Sequence, residues 1–80
     1  INLSILKASY SKGIVSLRYD YSIKHIIKFD QITSPFTTQL KTDGYKELLN
    51  SENKIIYQNK KYKVIIFSEF DYLIVVMVKL

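Results

Sequence analysis

The stretch that most constrains this chain is YLIVVMVKL, residues 72–80, in which eight of nine side chains are apolar. Its β-branched residues are Ile74, Val75, Val76 and Val78. Such side chains favour strands over helices. The run is also far shorter than the roughly 18 apolar residues of a membrane-spanning helix. We therefore predict a strand that is apolar on both faces, and each of those faces needs a cover.

Two further apolar runs precede this strand and predict an antiparallel meander with strands near 54–58, 61–68 and 72–79. Asn59 and Lys60 suit a tight turn, since Asn tolerates a positive φ. With that turn, Ile55 is predicted to lie opposite Val64. Alternation then divides the side chains between two faces. The second face carries Ile65, Phe67, Tyr72, Ile74, Val76 and Val78.

The front half of the chain predicts three more strands, near 2–9, 13–21 and 23–29. Gly13 can supply the conformation that the first turn requires. The run IVSLRYDY alternates between apolar and polar residues, as a half-buried strand does. In the third run the same alternation predicts that His25 faces the core.

The segment between the halves predicts one short helix near 43–50. Thr42 or Asp43 can cap its start, and Tyr45, Leu48 and Leu49 form an apolar stripe at helical spacing. The predicted class is therefore β-rich α+β. Its architecture is a curved antiparallel sheet or small partly open barrel of about six strands, in the order βββ-α-βββ. We expect residues 1–80 to form a single domain.

Two covers for the second face of the meander are compatible with the sequence. One is the short helix, which would lie across Ile65, Phe67, Ile74 and Val76 with help from Phe36 and Leu40. The other is a second protein chain, bound through an apolar patch or through pairing of edge strands.

Composition limits the class of protein. Apolar residues make up 48% of the chain, too many for a disordered tail. Cysteine is absent, so no disulfide or thiolate metal site is available. We expect a cytoplasmic protein, since neither a signal peptide nor a membrane-spanning segment is evident.

No motif for catalysis, cofactors or metals stands out. His25 is the only histidine, and the chain holds only two glycines, too few for a glycine-rich phosphate loop. The carboxylates lack the spacing of a calcium loop. We therefore expect no enzyme activity, no cofactor and no bound metal.

The net charge of +5 suggests an acidic partner, and nucleic acid is one alternative. Only one of the twelve basic residues is arginine, whereas bidentate phosphate and base recognition usually relies on arginine. A nucleic-acid-binding β-domain would use a lysine-rich face formed by Arg18, Lys24, Lys28, Lys60, Lys61 and Lys63.

The leading hypothesis is a small non-enzymatic interaction module that contacts a protein partner or its own copy. Domains of this size and composition occur as adaptors and as inhibitors carried by viruses and mobile elements. Tyrosine is frequent, seven in 80 residues, and aromatic residues anchor many interfaces. The residues predicted to bind are Tyr10, Phe70, Tyr72, Ile74 and Val76.

Overall fold

The computed structural model describes residues 2–80, which form six strands and one helix. The strands are β1 (Ile5–Ser11), β2 (Ile14–Asp20), β3 (Lys46–Asn50), β4 (Lys54–Gln58), β5 (Tyr62–Glu69) and β6 (Tyr72–Lys79), and the helix is α1 (Phe29–Thr42). All neighbouring strands are antiparallel, in the order β1-β2-β6-β5-β4-β3. The predicted β-rich α+β class is confirmed. The sheet is open, with β1 and β3 at its two edges.

The order of the elements along the chain differs from the prediction. The chain runs ββ-α-ββββ instead of βββ-α-βββ. The predicted strand at 23–29 is wrong, because those residues form turns and then the start of α1. The predicted helix near 43–50 is also wrong, because that segment holds β3. His25 lies in the turns after β2 and is exposed, not in the core.

Helix α1 is stabilised by a few apolar side chains that pack against the sheet and by hydrogen bonds at its ends. Phe29 and Ile32 are buried, and Leu40 packs against the core from the same side. At the C-terminal end Gly44 has a φ of +85°. Its amide donates to the Lys41 carbonyl, and the next amide, of Tyr45, donates to the Leu40 carbonyl. This pair of bonds is a Schellman motif, which ends the helix before β3.

The hairpin turns set which residues lie opposite each other in each strand pair, and therefore set the strand register. Lys12 and Gly13 both have positive φ, 49° and 82°, as a tight two-residue hairpin turn requires. Ile55 pairs with Ile66 and not with Val64, so the predicted register is wrong by two residues. Side chains alternate with a period of two. A slip of two residues therefore leaves every side chain on its predicted face.

The core lies between α1 and one face of the sheet, here called the helix side. Its buried apolar members are Tyr21, Phe29, Ile32, Ile55, Tyr57, Val64, Ile66 and Leu73. The four most deeply buried, Tyr21, Tyr57, Ile66 and Leu73, are each only 1% exposed. Strand β2 also follows its predicted alternation, since Tyr19 packs against this core while Arg18 is exposed.

Two core tyrosines hold their hydroxyls in hydrogen bonds. The Tyr57 hydroxyl donates to the Glu47 carboxylate over 2.9 Å, and that of Tyr21 donates to the Ile27 carbonyl. Burial raises the pKa of Tyr57, and the hydrogen bond and negative charge of Glu47 raise it further. Burial also raises the pKa of Tyr21, with a contribution from Asp30. Both groups are therefore neutral in the folded protein at pH values where an unfolded chain would begin to ionise them.

We expect the protein to lose stability above about pH 10, the pKa of an unperturbed tyrosine. Between the unfolded and the folded pKa the folded state binds more protons, so the free energy of unfolding falls as pH rises. The stabilisation from these tyrosines is fully present below pH 10. Thermal melts of the wild type and of Tyr57→Phe between pH 8 and 11 check this, with Tyr10→Phe as the control. A parallel decline in wild type and Tyr57→Phe would contradict the assignment.

Candidate functional site

The face of the sheet opposite α1, here called the open face, is the candidate site. Strand register sets its rows: Arg18, Ile74, Phe67 and Lys54 form one row, and Ser16, Val76, Ile65, Ile56 and Leu49 form the next. Its apolar patch consists of Ile56, Ile65, Phe67, Ile74, Val76 and Val78. These six side chains are only partly buried. The sheet itself brings them together, because paired residues in neighbouring strands share a face.

The expectation that the chain's own helix covers this face is wrong. Helix α1 contributes Phe29 and Ile32 to the core on the opposite side of the sheet. The segment proposed as the covering helix is the edge strand β3. Within residues 2–80, no second layer lies on the open face. The geometry therefore excludes the first of the two covers that the sequence allows and does not test the second.

Charged side chains border the apolar patch on two sides. Lys7 pairs with Arg18 at the β1–β2 side. Lys54 pairs with Phe67, and Lys63 pairs with Val78, at the β4–β5 side. The border is therefore cationic beside Ile74 and Val78 of the central strand β6.

One end of the patch carries the acidic residues of this face. Tyr72 lies between Asp20 and Glu69, and the Arg18 guanidinium lies over the Tyr72 ring, 5.1 Å from its centre. The Ser22 amide donates to the Asp20 carboxylate over 2.9 Å. Hydrogen bonds from Ser22 lower the pKa of Asp20, against a small opposing effect of desolvation. Asp20 is therefore ionised at neutral pH, and its carboxylate already accepts a hydrogen bond within the turn that follows β2.

The structure brings together three of the five residues predicted to bind protein. Tyr72, Ile74 and Val76 lie side by side on the open face of β6. Tyr10 pairs with Val15 and therefore lies on the helix side of β1, where it is 73% exposed. Phe70 lies in the β5–β6 turn, 76% exposed. Neither belongs to the patch.

Four patch residues are absent from the predicted binding set, namely Ile56, Ile65, Phe67 and Val78. Alternation already places Ile65, Phe67 and Val78 on the second face of the meander. What the sequence lacks is a signal that α1 covers the other face, because that depends on how the helix packs. Ile56 follows Ile55 directly, and only the strand register shows which of the two faces the core.

The six predicted nucleic-acid-binding residues do not form one surface. Arg18 and Lys63 lie on the open face, whereas Lys60 and Lys61 lie at the β4–β5 turn. Lys24 and Lys28 lie in the connection from β2 to α1. The Lys24 ammonium pairs with the Asp71 carboxylate over 3.2 Å and donates to the Phe70 carbonyl over 2.6 Å. The predicted merging of these cations into one stripe is wrong, because residues 23–29 form no strand.

A groove of about 470 Å³ lies on the helix side, between α1 and β1. Its apolar walls include Ile5, Tyr19 and Phe36. Residues of α1, β1, β2 and β6 line it together. Among residues 2–80, no group of three or more His, Cys, Asp or Glu side chains is placed to hold a metal ion.

Comparison of the chain with protein-family models, with curated proteins and with solved structures finds no match. Within the described part of the chain, no helix has the length and apolar character needed to cross a membrane. The function must therefore be inferred from the chemistry of the open face.

Proposed function

We propose that this protein is a small non-enzymatic interaction module that binds a protein partner with its open face. The observation that carries the proposal is the apolar patch on a sheet face that no other part of residues 2–80 covers. Contiguous exposed apolar patches with polar rims mark interaction sites in soluble proteins.

The dimensions of the patch support binding of another protein. Along β6, from Tyr72 to Val78, the apolar column is about 20 Å long at a rise of about 3.4 Å per residue. Across the sheet, the row from Val76 to Leu49 covers four strands, or about 14 Å at a strand spacing of about 4.8 Å. These lengths give an area of about 280 Å², which can form the apolar centre of a standard interface that buries about 800 Å² on each partner.

The residue types at the border support the same role. Tyr72 and Arg18 are stacked on each other at one end of the patch. Tyrosine and arginine are enriched among the residues that contribute most to binding energy. Burial of the apolar surface that these side chains still expose contributes about 25 cal/mol per Å². Several such side chains buried together add to the binding energy.

The double variant Ile65→Thr/Val76→Thr is expected to weaken binding of the partner by at least about tenfold, since two apolar contacts are lost. Threonine keeps the β-branched shape, so the sheet is retained. The partner is captured on the immobilised protein from a lysate of the organism that carries the gene. It is then identified, purified and titrated against each variant. Ile26→Thr, at a turn residue that is 66% exposed and off the face, is the matched control.

The outcome of that titration decides the proposal. A Kd unchanged in the double variant, or weakened equally in Ile26→Thr, would contradict binding by the open face. Circular dichroism and melting curves of both variants show that the comparison is made between folded proteins.

A nucleic-acid-binding role is the second candidate, favoured by one observation. Phe67 and Tyr72 lie on the open face with Arg18, Lys54 and Lys63 around them. Aromatic residues on a sheet surrounded by cations can stack the bases of a single strand. Against this, aliphatic side chains occupy the centre of the patch, and Arg18 already lies over the Tyr72 ring.

A salt titration separates the two candidates. Binding to a labelled single-stranded oligonucleotide would weaken steeply with salt, with a slope of about −0.7 per phosphate contact. The protein-binding role predicts no such binding at physiological ionic strength. Tight and salt-sensitive binding that is lost in Phe67→Ala would favour the second candidate.

A further inference from the structure

We infer that the partner presents an amphipathic helix whose apolar stripe is bordered by acidic side chains, and that this helix lies along β6 on the open face. The inference rests on the proposed function and names the chemistry of its partner. It follows from three observations: the missing layer, the length of the apolar column and the charge of its borders.

The first observation concerns layers. An apolar sheet face gains stability when another layer of secondary structure covers it, and a helix is one of the layers that can do so. Here α1 covers one face through Phe29 and Ile32. The other face carries Ile74, Val76 and Val78 on the central strand with no layer above them among residues 2–80. A helix from a partner would complete a three-layer arrangement of helix, sheet and helix.

The second observation concerns length. The apolar column on β6 extends for about 20 Å. A helix that rises about 1.5 Å per residue covers this distance with about 13 or 14 residues. Helix α1, which covers the other face of the same sheet, has 14 residues. The open face therefore fits one helix of ordinary length.

The third observation concerns charge. The flanks of β6 on the open face carry Lys7 and Arg18 on one side and Lys54 and Lys63 on the other. The acidic residues of this face, Asp20 and Glu69, are confined to one end. A helix seated on Ile74 and Val76 would direct the residues beside its apolar stripe toward these cations. Acidic residues at those positions give electrostatic complementarity, which favours specific association.

The same charges disfavour a second copy of this chain as the occupant. Each copy carries a net charge of +5 and a cationic border on this face. Two open faces packed on each other would bring several of these cations into one interface. Like charges placed together across an interface cost several kcal/mol. An acidic partner removes this cost.

The test uses three labelled peptides of about 18 residues, long enough to form helices in water when well designed. They share one leucine stripe at helical spacing and differ only at the flanking positions, which are Glu, Gln or Lys. We expect the Glu-flanked peptide to bind at least about tenfold tighter than the Lys-flanked peptide at low salt. The difference should shrink as salt rises, because exposed charges are screened beyond about 10 Å at 0.1 M.

Two double variants of the protein test which cations cause this difference in affinity between the peptides. Lys7→Gln/Lys54→Gln removes two cations from the border and is expected to weaken binding of the Glu-flanked peptide by at least about threefold while leaving binding of the Gln-flanked peptide unchanged. Lys60→Gln/Lys61→Gln removes the same charge from the β4–β5 turn, off the face, and serves as the matched control. Circular dichroism of each complex reports whether the bound peptide is helical.

The outcomes separate this inference from the proposed function. Equal affinity for all three peptides, lost in Ile65→Thr/Val76→Thr, would overturn the acidic partner and leave the open face as a binding site. Equal losses of affinity for the Glu-flanked peptide in Lys7→Gln/Lys54→Gln and in Lys60→Gln/Lys61→Gln would also overturn it. Dimerisation in sedimentation that Ile65→Thr/Val76→Thr abolishes would replace the helix with a second copy. Peptide binding that survives Ile65→Thr/Val76→Thr would overturn both proposals.

Discussion

Leu73→Ala is expected to lower the free energy of unfolding by about 2–5 kcal/mol, the range for a buried leucine whose removal leaves a cavity. Leu73 is 1% exposed and lies on the helix side of β6, opposite Tyr19 and Ser68. Small domains have about 5–15 kcal/mol of stability in total. Chemical denaturation with urea measures the loss as a lower midpoint at an unchanged slope.

The neighbouring variant Ile74→Ala is the control for that prediction. Ile74 is the next residue of the same strand but lies on the open face, where it is only partly buried. It therefore has less surface to lose from a packed environment, and we expect less than half the effect of Leu73→Ala. An equal loss at both positions would mean that both faces of β6 are covered in solution, which would contradict the open face.

Pro35→Ala is expected to raise the free energy of unfolding by about 1–3 kcal/mol. Pro35 lies inside α1 and has no amide hydrogen to donate to the Gln31 carbonyl one turn earlier. Proline in a helix interior is about 3 kcal/mol less favourable than alanine. Part of the gain is offset because alanine leaves the unfolded chain more flexible, by about 0.4–1 kcal/mol. The midpoint of urea unfolding measures the net effect.

Thr38→Ala, at an exposed position one turn further along α1, is the control for Pro35→Ala. It changes helix propensity by no more than about 0.7 kcal/mol and adds no hydrogen bond. Destabilisation by Pro35→Ala would show that the ring of Pro35 makes packing contacts worth more than the restored hydrogen bond.

The strands near the C-terminus could be predicted because β-branched residues and period-two alternation agree there. Alternation places Ile65 and Ile74 on the second face of the meander, and the register confirms that they share a face. Turn lengths were not predictable to the residue. The error in register was two residues, which the alternation cannot detect because its period is two.

The helix could not be predicted from propensity. Helix α1 contains Pro35 and many hydroxyl residues, which are poor helix formers. Its apolar spacing of Phe29, Ile32 and Leu40 is sparse, so tertiary packing against the sheet decides the conformation. Conversely, a bulge between Glu47 and Leu49 breaks the alternation of β3. The spacing of Tyr45, Leu48 and Leu49 then matches that of a helix, which is why the sequence predicts a helix in this segment.

The candidate site was predicted in part for the same reason. Tyr72, Ile74 and Val76 were correctly grouped, because they share one face of one strand. Which face is open depends on where α1 packs. The placement of Lys24 and Lys28 was wrong because it depended on a strand that does not form. Surface groupings drawn from several elements cannot be predicted before those elements are known.

Pairing of β2 with β6 has a consequence for how the chain folds. Strands β3 to β6 follow one another as neighbours in the sheet, so their contacts are local in sequence. The pairs along β2 and β6, such as Ile14 with Val78, join residues from opposite ends of the chain. Closing a long loop carries an entropy cost before contacts compensate for it, and such contacts slow folding. We therefore expect the C-terminal meander to assemble first, and the docking of the N-terminal hairpin, by pairing of β2 with β6, to limit the folding rate.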